Sequence, residues 1–553
     1  MCGIWALFGY DHSVSSEIHH ALLVAHRGPD FFRLETIPHI NHCCLAFHRL
    51  SIVDDLYGQQ PIRIHNLPHI HMIYNGEIYN FKELGKQFGF DFETRVDGEV
   101  IIHLYHKFGA KKTAQLLDGV FAFCIVDAEK NQVHIGRDTF GVRPMYRILT
   151  SSGQMGIASE AKGLIGLVND DGTQAELKQF PPASFASYKL DPKDGRVQLL
   201  DSGLYTDVET PQVFNIPVNV GEDIKENIRA LLSDAVRKRL MAERRIGCLL
   251  SGGLDSSLIA ALVVKIAKEQ GVEYPIQTFS TGMQGSTDLA AAKKVADRLG
   301  TEHHEVIFSP EDGFNALKSV IWSLESYDIT TVRASVGMYL VSKYIRENTD
   351  TVVLFSGEGS DELAQGYIYF HKAPSPEEAD EESKRLLREL YLYDNLRADR
   401  TTAAHGLELR VPFLDKAFTA YYLSIPPKMR QPQKGIEKYL LRSAFDGHLT
   451  EYLPDEILWR AKEAFSDGVS SLEKPWYTML KEYCASQLQP DELEKSKAKY
   501  PVNTPQTEEA YFYRKVFENN FPDQSGFTPY FWMPKWISGA SDPSARTLKH
   551  FHA

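Results

Sequence analysis

A serine- and glycine-rich turn near the middle of the chain has the composition of a phosphate-binding loop. The apolar segment 246–250 has the length of a buried strand, the heptapeptide 251–257 reads Ser-Gly-Gly-Leu-Asp-Ser-Ser, and apolar residues at helical spacing follow. Adjacent glycines let a phosphate approach the backbone, and a helix N-terminus presents N–H groups to an anion. Asp255 is placed to hold a magnesium ion against the same phosphates. No Gly-Lys-Ser/Thr follows, so this is not the Walker pattern.

Cys2 is a candidate nucleophile because it directly precedes the strand-like apolar segment 4–8. If Met1 is removed, a terminal cysteine carries a thiol together with its own base, since an α-amine has a pKa of about 8. We expect this removal in the active protein. The alternative is a cysteine without a chemical role.

A second turn of unusual composition follows the apolar segment 352–355. It reads Ser-Gly-Glu-Gly-Ser-Asp-Glu over residues 356–362. Carboxylates this close repel one another unless cations or hydrogen-bond donors gather around them. We therefore expect a ligand site here, and the alternative is a solvated acidic turn.

The elements around these residues predict two domains of different class. In the first, alternating strands with few long helices between them predict a sandwich of antiparallel β-sheets flanked by helices, an α+β fold. In the second, strands near 246, 276, 304 and 352 alternate with helices, which predicts an α/β, doubly wound parallel sheet with helices on both faces. Ligands of such sheets bind at the carboxyl ends of the strands. We place the domains at 2–190 and 221–540, joined by a proline-rich connection at 191–220.

Composition excludes several classes of protein. The chain has 553 residues, 43% of them hydrophobic and 24% charged, and its net charge of −13 provides no basic surface for nucleic acid or anionic lipid. It has no apolar run of about 18 residues and no signal peptide, so we expect a cytosolic protein without a membrane partner. Its six cysteines are too scattered for a disulfide framework or a zinc site.

Seven segments of the first domain occur in an order that is typical of one family. They are His-Arg-Gly-Pro-Asp at 26–30, Phe-His-Arg-Leu-Ser-Ile-Val at 47–53, Tyr-Asn-Gly-Glu-Ile-Tyr-Asn at 74–80, Asp-Gly-Glu at 97–99, Leu-Asp-Gly-Val-Phe-Ala-Phe at 117–123, Gly-Arg-Asp at 136–138 and Ser-Glu-Ala at 159–161. With them the domain closely resembles the class II glutamine amidotransferases, which have the N-terminal nucleophile fold.

The resemblance assigns roles in a glutamine site. It implies that Cys2 is the nucleophile and that Asn75 and Gly76 form the oxyanion hole. It further implies that Arg49 binds the α-carboxylate of glutamine and Asp97 its α-ammonium. The remaining implied glutamine contacts are Glu77 and the segment Leu50, Ser51, Ile52 and Val53.

The second domain has its own set of recognisable segments. They are the turns at 251–257 and 356–362, Tyr-Asp-Ile-Thr-Thr-Val-Arg-Ala-Ser at 327–335, Leu-Arg-Val-Pro-Phe-Leu-Asp at 409–415, Lys-Glu-Ala-Phe-Ser-Asp-Gly at 462–468 and Asp-Pro-Ser-Ala-Arg at 542–546. With them this domain, and nearly the whole chain, resembles the asparagine synthetase family, most closely its animal form.

This second resemblance implies a site for ATP, aspartate and Mg²⁺. The implied ATP contacts are Leu250, Ser251, Gly252, Gly253, Asp255, Ser256, Thr281, Ser356 and Gly357, and Thr281 stands where the family has a branched apolar residue. Aspartate contacts are Thr330, Thr331 and Arg333. Asp255 and Asp361 would hold Mg²⁺, Glu358 would act on the attacking ammonia, and Lys462 would bind the α-phosphate in the transition state.

Together the two resemblances imply a ligase that makes asparagine from aspartate, ATP and glutamine through a β-aspartyl adenylate, and a homodimer. Two alternatives stay open at this point. One is another glutamine-dependent adenylating ligase that forms an amide. The other is a catalytically degenerate homologue that binds glutamine or nucleotide, which should have lost residues such as Cys2, Asp255 or Glu358. The sequence retains all three.

Overall fold

The computed structural model describes residues 1–10, 14–54, 57–167, 174–207, 223–461, 468–470, 474–537 and 542–543. The chain divides into two compact units. The first comprises 1–216 with 241–244 and 403–408, and the second comprises 217–240, 245–402 and 409–553.

The first unit is built on two antiparallel sheets. Its strands are β1 (Gly3–Phe8), β2 (Phe31–Thr36), β3 (Cys43–Arg49), β4 (Ile70–Ile78), β5 (Gly119–Asp127), β6 (Gln132–Arg137), β7 (Tyr146–Thr150), β8 (Met155–Ala158), β9 (Ala175–Gln179), β10 (Ser184–Leu190) and β11 (Val197–Leu204). One sheet has the order β2-β3-β1-β8-β7-β9 and the other the order β11-β10-β6-β5-β4. Its helices are α1 (Val14–Leu22), α2 (Phe81–Phe88), α3 (Glu99–Phe108) and α4 (Ala110–Leu116).

Apolar side chains from both sheets form one core. Ile4 and Phe47 of the six-stranded sheet belong to the same buried cluster as Ile73, Cys124 and Ile135 of the five-stranded sheet. Alternate residues of a strand point to one face, so each sheet contributes its inward positions to the cluster. The predicted antiparallel sandwich flanked by helices is confirmed.

The second unit is built on a five-stranded sheet in which three neighbouring pairs are parallel. Its strands are β12 (Arg245–Leu249), β13 (Gln277–Gly282), β14 (Glu302–Ile307), β15 (Thr351–Phe355) and β16 (Glu408–Arg410). The order is β14-β13-β12-β15-β16, with parallel pairing of β12 to β13, β12 to β15 and β13 to β14. The chain thus runs outward from β12 to β14 and then returns past β12 to β15. Because such crossovers are right-handed, the helices of the two directions lie on opposite faces, as predicted.

Helices make up most of the remainder of this unit. They are α5 (Ile224–Lys238), α6 (Leu254–Glu269), α7 (Thr287–Leu299), α8 (Pro310–Leu324), α9 (Ile329–Asn348), α10 (Ser360–Leu363), α11 (Pro376–Glu389), α12 (Asp394–Ala403), α13 (Lys416–Ser424), α14 (Pro427–Arg430), α15 (Tyr439–Phe445), α16 (Asp455–Leu458), α17 (Trp476–Ser486), α18 (Ser496–Lys499) and α19 (Glu508–Asn520). In the described part of the chain, none of the helices combines the length and apolarity needed to cross a bilayer.

Part of the predicted connection between the two domains forms a β-strand in the structure. β11 lies inside the predicted connection 191–220 and pairs antiparallel with β10 along its length. Gly195 has φ 70° and closes the turn between the two strands by donating to the Asp191 carbonyl at 2.8 Å. β11 is an edge strand exposed at seven of its eight residues, so it has no apolar alternation to recognise. Residues 208–222 of the connection lie outside the described part of the chain.

Candidate active sites

Cys2 lies at the start of a central strand of the six-stranded sheet. β1 begins at Gly3, directly after Cys2, and pairs with β3 from Gly3 onward and with β8 from Trp5 onward. The Leu50 amide donates to Cys2 Sγ at 3.4 Å, and the Cys2 N–H donates to Asn75 Oδ1 at 2.9 Å. Burial raises the pKa of the Cys2 thiol. The thiol therefore needs a nearby base to become a nucleophile.

Asn75 and Gly76 lie in the middle of β4 and do not form the hairpin turn that an Asn-Gly pair usually indicates. They pair with Ala122 and Phe121 of β5. Gly76 has φ 149°, and a Cβ there would lie 1.9 Å from the Val120 carbonyl oxygen, so only glycine fits. Asn75 is fully buried, and its Nδ2 has no hydrogen-bond partner among the residues that the structure describes. A buried, unused donor beside Cys2 is what an oxyanion hole requires.

Arg49 and Glu77 are buried charged residues on the strands next to Cys2. Each is 4% exposed. Arg49 ends β3, and its guanidinium donates to the Asp54 carbonyl. A Cβ at Gly58 would lie 2.2 Å from Arg49 Nη2, so this glycine leaves room for the guanidinium. Glu77 shares a face of β4 with Asn75, which lies two residues before it.

Asp97 is held by two donors. Its Oδ1 accepts from the Tyr74 hydroxyl at 2.8 Å and its Oδ2 from the Ile78 amide at 2.6 Å. Burial raises the pKa of Asp97 to about 6. The carboxyl is therefore mostly ionised at neutral pH and can pair with an ammonium group.

The segment after β3 is anchored by its backbone. The Ser51 amide donates to Asp30 Oδ2 at 2.8 Å, and the Ile52 carbonyl accepts from the Glu243 amide at 2.9 Å. Leu50 is buried, and Val53 is half-buried. These contacts fix the path of the segment, and its contribution to a glutamine pocket stays a prediction.

Arg27 and Glu160 belong to the sequence motifs but have no role in the predicted site, and in the structure they form an ion pair beside Cys2. Arg27 Nε donates to the Cys2 carbonyl at 3.0 Å, and its Nη1 donates to Glu160 Oε1 at 2.7 Å. Arg27 is fully buried and Glu160 is 1% exposed. The sequence signal for these two residues was their position in the motifs 26–30 and 159–161. The structure adds that both are buried, and a buried arginine and a buried glutamate each need a partner of opposite charge.

The phosphate loop of the second unit has the predicted strand, turn and helix. It connects β12 to α6, and Gly252 has φ 74° with its α-carbon packed so closely that a Cβ would lie 2.4 Å from the Ala292 amide nitrogen. The Ser251 amide donates to Ser256 Oγ at 3.1 Å, and the Gly253 amide donates to Ser251 Oγ at 3.3 Å. The loop is therefore preorganised by its own serines.

Asp255 and Asp361 contact the same lysine, which the sequence did not single out. Lys438 Nζ lies 2.5 Å from Asp255 Oδ2 and 2.5 Å from Asp361 Oδ1, and Lys438 is 1% exposed. Ser360 Oγ also donates to Asp255 Oδ1 at 2.7 Å. The two carboxylates thus converge on one position that a cation occupies.

The remaining predicted ATP contacts lie at strand ends. Thr281 lies near the carboxyl end of β13, where it pairs with Val306 of β14, and its Oγ1 donates to the Val306 carbonyl at 3.0 Å. The Leu250 amide donates to the Phe279 carbonyl, and the Ser356 amide to the Arg410 carbonyl. A Cβ at Gly357 would lie 2.6 Å from Asp255 Cβ, so the acidic turn packs directly on the phosphate loop.

The predicted aspartate contacts lie in the first turns of α9. Asp328 caps the helix, and its Oδ1 accepts from the Thr331 amide and from the Thr331 hydroxyl, each at 2.8 Å. Thr330 Oγ1 is buried without a hydrogen-bond partner in the described part of the chain. Arg333 pairs with Glu509 at 2.5 Å and with Asp542 at 2.8 Å. Recognition of a substrate carboxylate by Arg333 would therefore compete with these two side chains.

A cavity of about 240 Å³ unites these groups. Every predicted site residue of the second unit lines it except Gly252, and except Lys462, which lies outside the described residues. Glu358 lines it beside Arg397, whose Nη2 lies 2.7 Å from Glu358 Oε2. Burial raises the pKa of Glu358, and Arg397 acts against that rise. The cavity therefore combines phosphate-binding, cation-binding and proton-accepting groups.

Comparisons with known proteins agree with this arrangement over the full length. The family described as asparagine synthase matches residues 227–386 and 374–539, and that described as glutamine amidotransferase domain matches residues 1–213. The asparagine synthetase (glutamine-hydrolyzing) of Gallus gallus is 56% identical, with 100% of this chain and 99% of the relative covered. The protein of that name from Homo sapiens is 54% identical at the same coverage. The chain therefore belongs to the glutamine-hydrolysing asparagine synthetase family.

Proposed function

We propose that the protein makes L-asparagine from L-aspartate, ATP and L-glutamine through β-aspartyl-AMP and releases AMP, pyrophosphate and L-glutamate. The observation that carries the proposal is the cavity of the second unit. It places the phosphate loop, the carboxylates of Asp255 and Asp361, Glu358 and the first turn of α9 around one space. That set suits a reaction that joins a nucleotide phosphate to a small carboxylic acid.

The first unit supplies ammonia in this proposal. Once Met1 is removed, the Cys2 α-amine takes the thiol proton, Sγ attacks the side-chain carbonyl carbon of glutamine, and the proton passes to the nitrogen as the C–N bond breaks. Ammonia leaves, and water hydrolyses the remaining thioester to glutamate. The negative charge on the carbonyl oxygen is stabilised by Asn75 Nδ2 and the Gly76 N–H. Arg49 and Asp97 hold the two charged groups of the substrate's α-carbon.

Asp255 and Asp361 fit a magnesium ion that arrives with ATP. Mg²⁺ prefers oxygen ligands and is commonly bound by one or two carboxylates together with substrate phosphates. The described residues contain no cluster of three or more metal-ligating side chains, so phosphate oxygens and water would complete the coordination. When bound, the ion neutralises charge on the phosphates. Lys438, already between the two carboxylates, would then be free to contact pyrophosphate.

Glu358 is the proposed base of the last step. The ammonia nitrogen attacks the carbonyl carbon of β-aspartyl-AMP, the bond from that carbon to the phosphate oxygen breaks, and AMP leaves. The nitrogen carries an excess proton after the attack, and the Glu358 carboxylate accepts it.

The decisive assay incubates the protein with aspartate, ATP, MgCl₂ and glutamine and measures asparagine, AMP and pyrophosphate. Equal amounts of the three products are expected. Pyrophosphate with a different amide product would instead indicate another adenylating ligase, and binding of glutamine or ATP without any product would indicate a degenerate homologue. Omitting glutamine and adding an ammonium salt should restore asparagine formation.

We also propose a cytosolic homodimer. The support for the dimer is the family resemblance, and the location is carried over from the expectation stated in the sequence analysis. Light scattering coupled to gel filtration would measure a mass twice that of the 62.6 kDa chain.

A further inference from the structure

We propose that Arg397 is a positioning residue for the amide-forming step, in which it holds the Glu358 carboxylate toward the attacking ammonia. The inference rests on the proposed function and names a residue that lies outside every sequence motif of the family resemblance. Arg397 lies in the first turn of α12 and lines the cavity.

Arg397 divides its two terminal nitrogens between two carboxylates. Nη2 lies 2.7 Å from Glu358 Oε2, and Nη1 lies 2.8 Å from Asp394 Oδ1. Arg397 as a whole residue is only 8% exposed. Because a guanidinium is planar and rigid, fixing one of its nitrogens on Asp394 fixes the direction in which the other donates to Glu358.

Asp394 is fixed in turn from its other side. The Tyr367 hydroxyl lies 2.8 Å from Asp394 Oδ2 and 2.5 Å from Glu362 Oε1. A phenol has a single hydrogen to donate, so the second contact requires a proton on one of the two carboxyl groups. The result is a continuous chain of hydrogen bonds from Glu362 through Tyr367, Asp394 and Arg397 to Glu358.

Glu358 needs such support because its own segment provides little. It lies between Gly357 and Gly359, and Gly359 has φ 89°. The side chain of Glu358 is 20% exposed, whereas that of Arg397 is 10% exposed. A carboxylate on a glycine-flanked turn has several rotamers to choose from, and the ion pair with Arg397 selects one of them.

Loss of this orientation should affect one half-reaction only. Adenylation needs the phosphate loop and its cation, and the hydrogen bonds of Arg397 go to neither. Slower attack by ammonia leaves the adenylate exposed to water. Hydrolysis then forms a bond from water oxygen to the β-carbonyl carbon, breaks the bond to AMP and returns aspartate. Pyrophosphate and AMP would accumulate without an equal amount of asparagine.

The test compares Arg397→Gln and Arg397→Lys in the full-length protein with saturating ammonium chloride as the nitrogen source. Two quantities are measured: aspartate-dependent ATP–pyrophosphate exchange, and the ratio of asparagine to pyrophosphate. For Arg397→Gln we expect exchange within about threefold of wild type and asparagine formation about 10²-fold slower, with the product ratio well below one. Arg397→Lys keeps the positive charge, so its ratio of asparagine to pyrophosphate should lie between those of Arg397→Gln and wild type.

Arg400→Gln is the matched control. Arg400 lies one turn further along α12, is 1% exposed and pairs with Glu325 at 2.9 Å, but does not line the cavity. The substitution Arg400→Gln should lower the thermal stability of the protein, while the ratio of asparagine to pyrophosphate stays near one.

The other possible results separate the inference from the proposed function. A wild-type ratio in Arg397→Gln would overturn the inference, and so would a parallel loss of exchange and asparagine formation in Arg397→Gln. If Arg397→Gln does not fold, the ratio in Arg397→Lys decides, and a ratio equal to wild type would again count against a positioning role. Wild-type protein that makes no asparagine would refute the proposed function itself.

Discussion

The two sites of this protein are built by different means. In the first unit, Asn75, Gly76 and Arg49 lie within or at the end of paired strands, so the ladder hydrogen bonds of a sandwich set their positions. In the second unit, Asp255 and Asp361 lie on turns and helix starts that follow parallel strands, and a buried lysine bridges them. A sheet can preorganise neutral donors, whereas a cluster of like charges is held in place by counter-ions.

This difference leads to different responses to mutation. Removal of a group from the strand-built site should change catalysis with little effect on its neighbours. In the charge-built site, neutralising Asp255 still leaves Lys438 paired with Asp361, so the buried ammonium group keeps a counter-ion. We therefore expect single substitutions in either site to leave the protein folded and to change its catalysis.

The largest effect is expected for Cys2→Ala. This variant removes the sulfur nucleophile and leaves the second unit intact, so glutamine-dependent asparagine formation should fall by more than about 10³-fold. Synthesis from ammonium salt should persist and rise through mildly alkaline pH, because only unprotonated ammonia attacks. Asparagine formed from glutamine at a comparable rate would show that Cys2 is not the nucleophile.

Asp255→Asn should produce the reverse pattern. Pyrophosphate release should fall by about 10³-fold with either nitrogen source, because a cation ligand beside the phosphate loop is lost. Glutamate formation from glutamine alone should continue at a rate close to wild type. Circular dichroism provides the folding control, and equal loss of both activities in a folded variant would contradict two separate sites.

Asn75→Ala sharpens the description of the strand-built site. Loss of an oxyanion donor costs about 10²- to 10³-fold in kcat, while KM for glutamine should change little, since Nδ2 acts on charge that develops in the transition state. The same substitution removes the acceptor of the Cys2 N–H, so Asn75→Asp serves as a companion that keeps this acceptor and lacks the donor. If Asn75→Asp retained full kcat, the oxyanion role would be wrong.

The sequence was sufficient to predict both fold classes and most residues around each site. Motif residues such as Asn75 and Gly76, or those of the phosphate loop, are adjacent in the chain, so their chemistry is visible before folding. Alternation of strands and helices likewise indicated the parallel sheet. The roles assigned to individual residues remain predictions that the geometry supports.

Contacts between distant segments were the part that sequence could not supply. Lys438 is separated from Asp255 by 183 positions and Arg27 from Glu160 by 133. Nothing local to a lysine or an arginine tells whether it is a solvated surface cation or a buried counter-ion, because burial is a property of the packed chain. The edge strand β11 escaped notice for a related reason, since an exposed strand has no core-facing pattern.

The smallest expected effect is a pH dependence that belongs to the first unit. Asp97 must be ionised to bind the α-ammonium of glutamine, and burial raises its pKa to about 6. The carboxylate is therefore present above pH 6 and is lost as pH falls through that value, so kcat/KM for glutamine hydrolysis should decrease about tenfold per unit below it. Because the bound ammonium group stabilises the charged form of Asp97, kcat should stay constant to a lower pH than kcat/KM does. Asp97→Asn should have low kcat/KM throughout and no such limb. An acid limb that persisted unchanged in Asp97→Asn would mean that Asp97 is not the group that binds the ammonium.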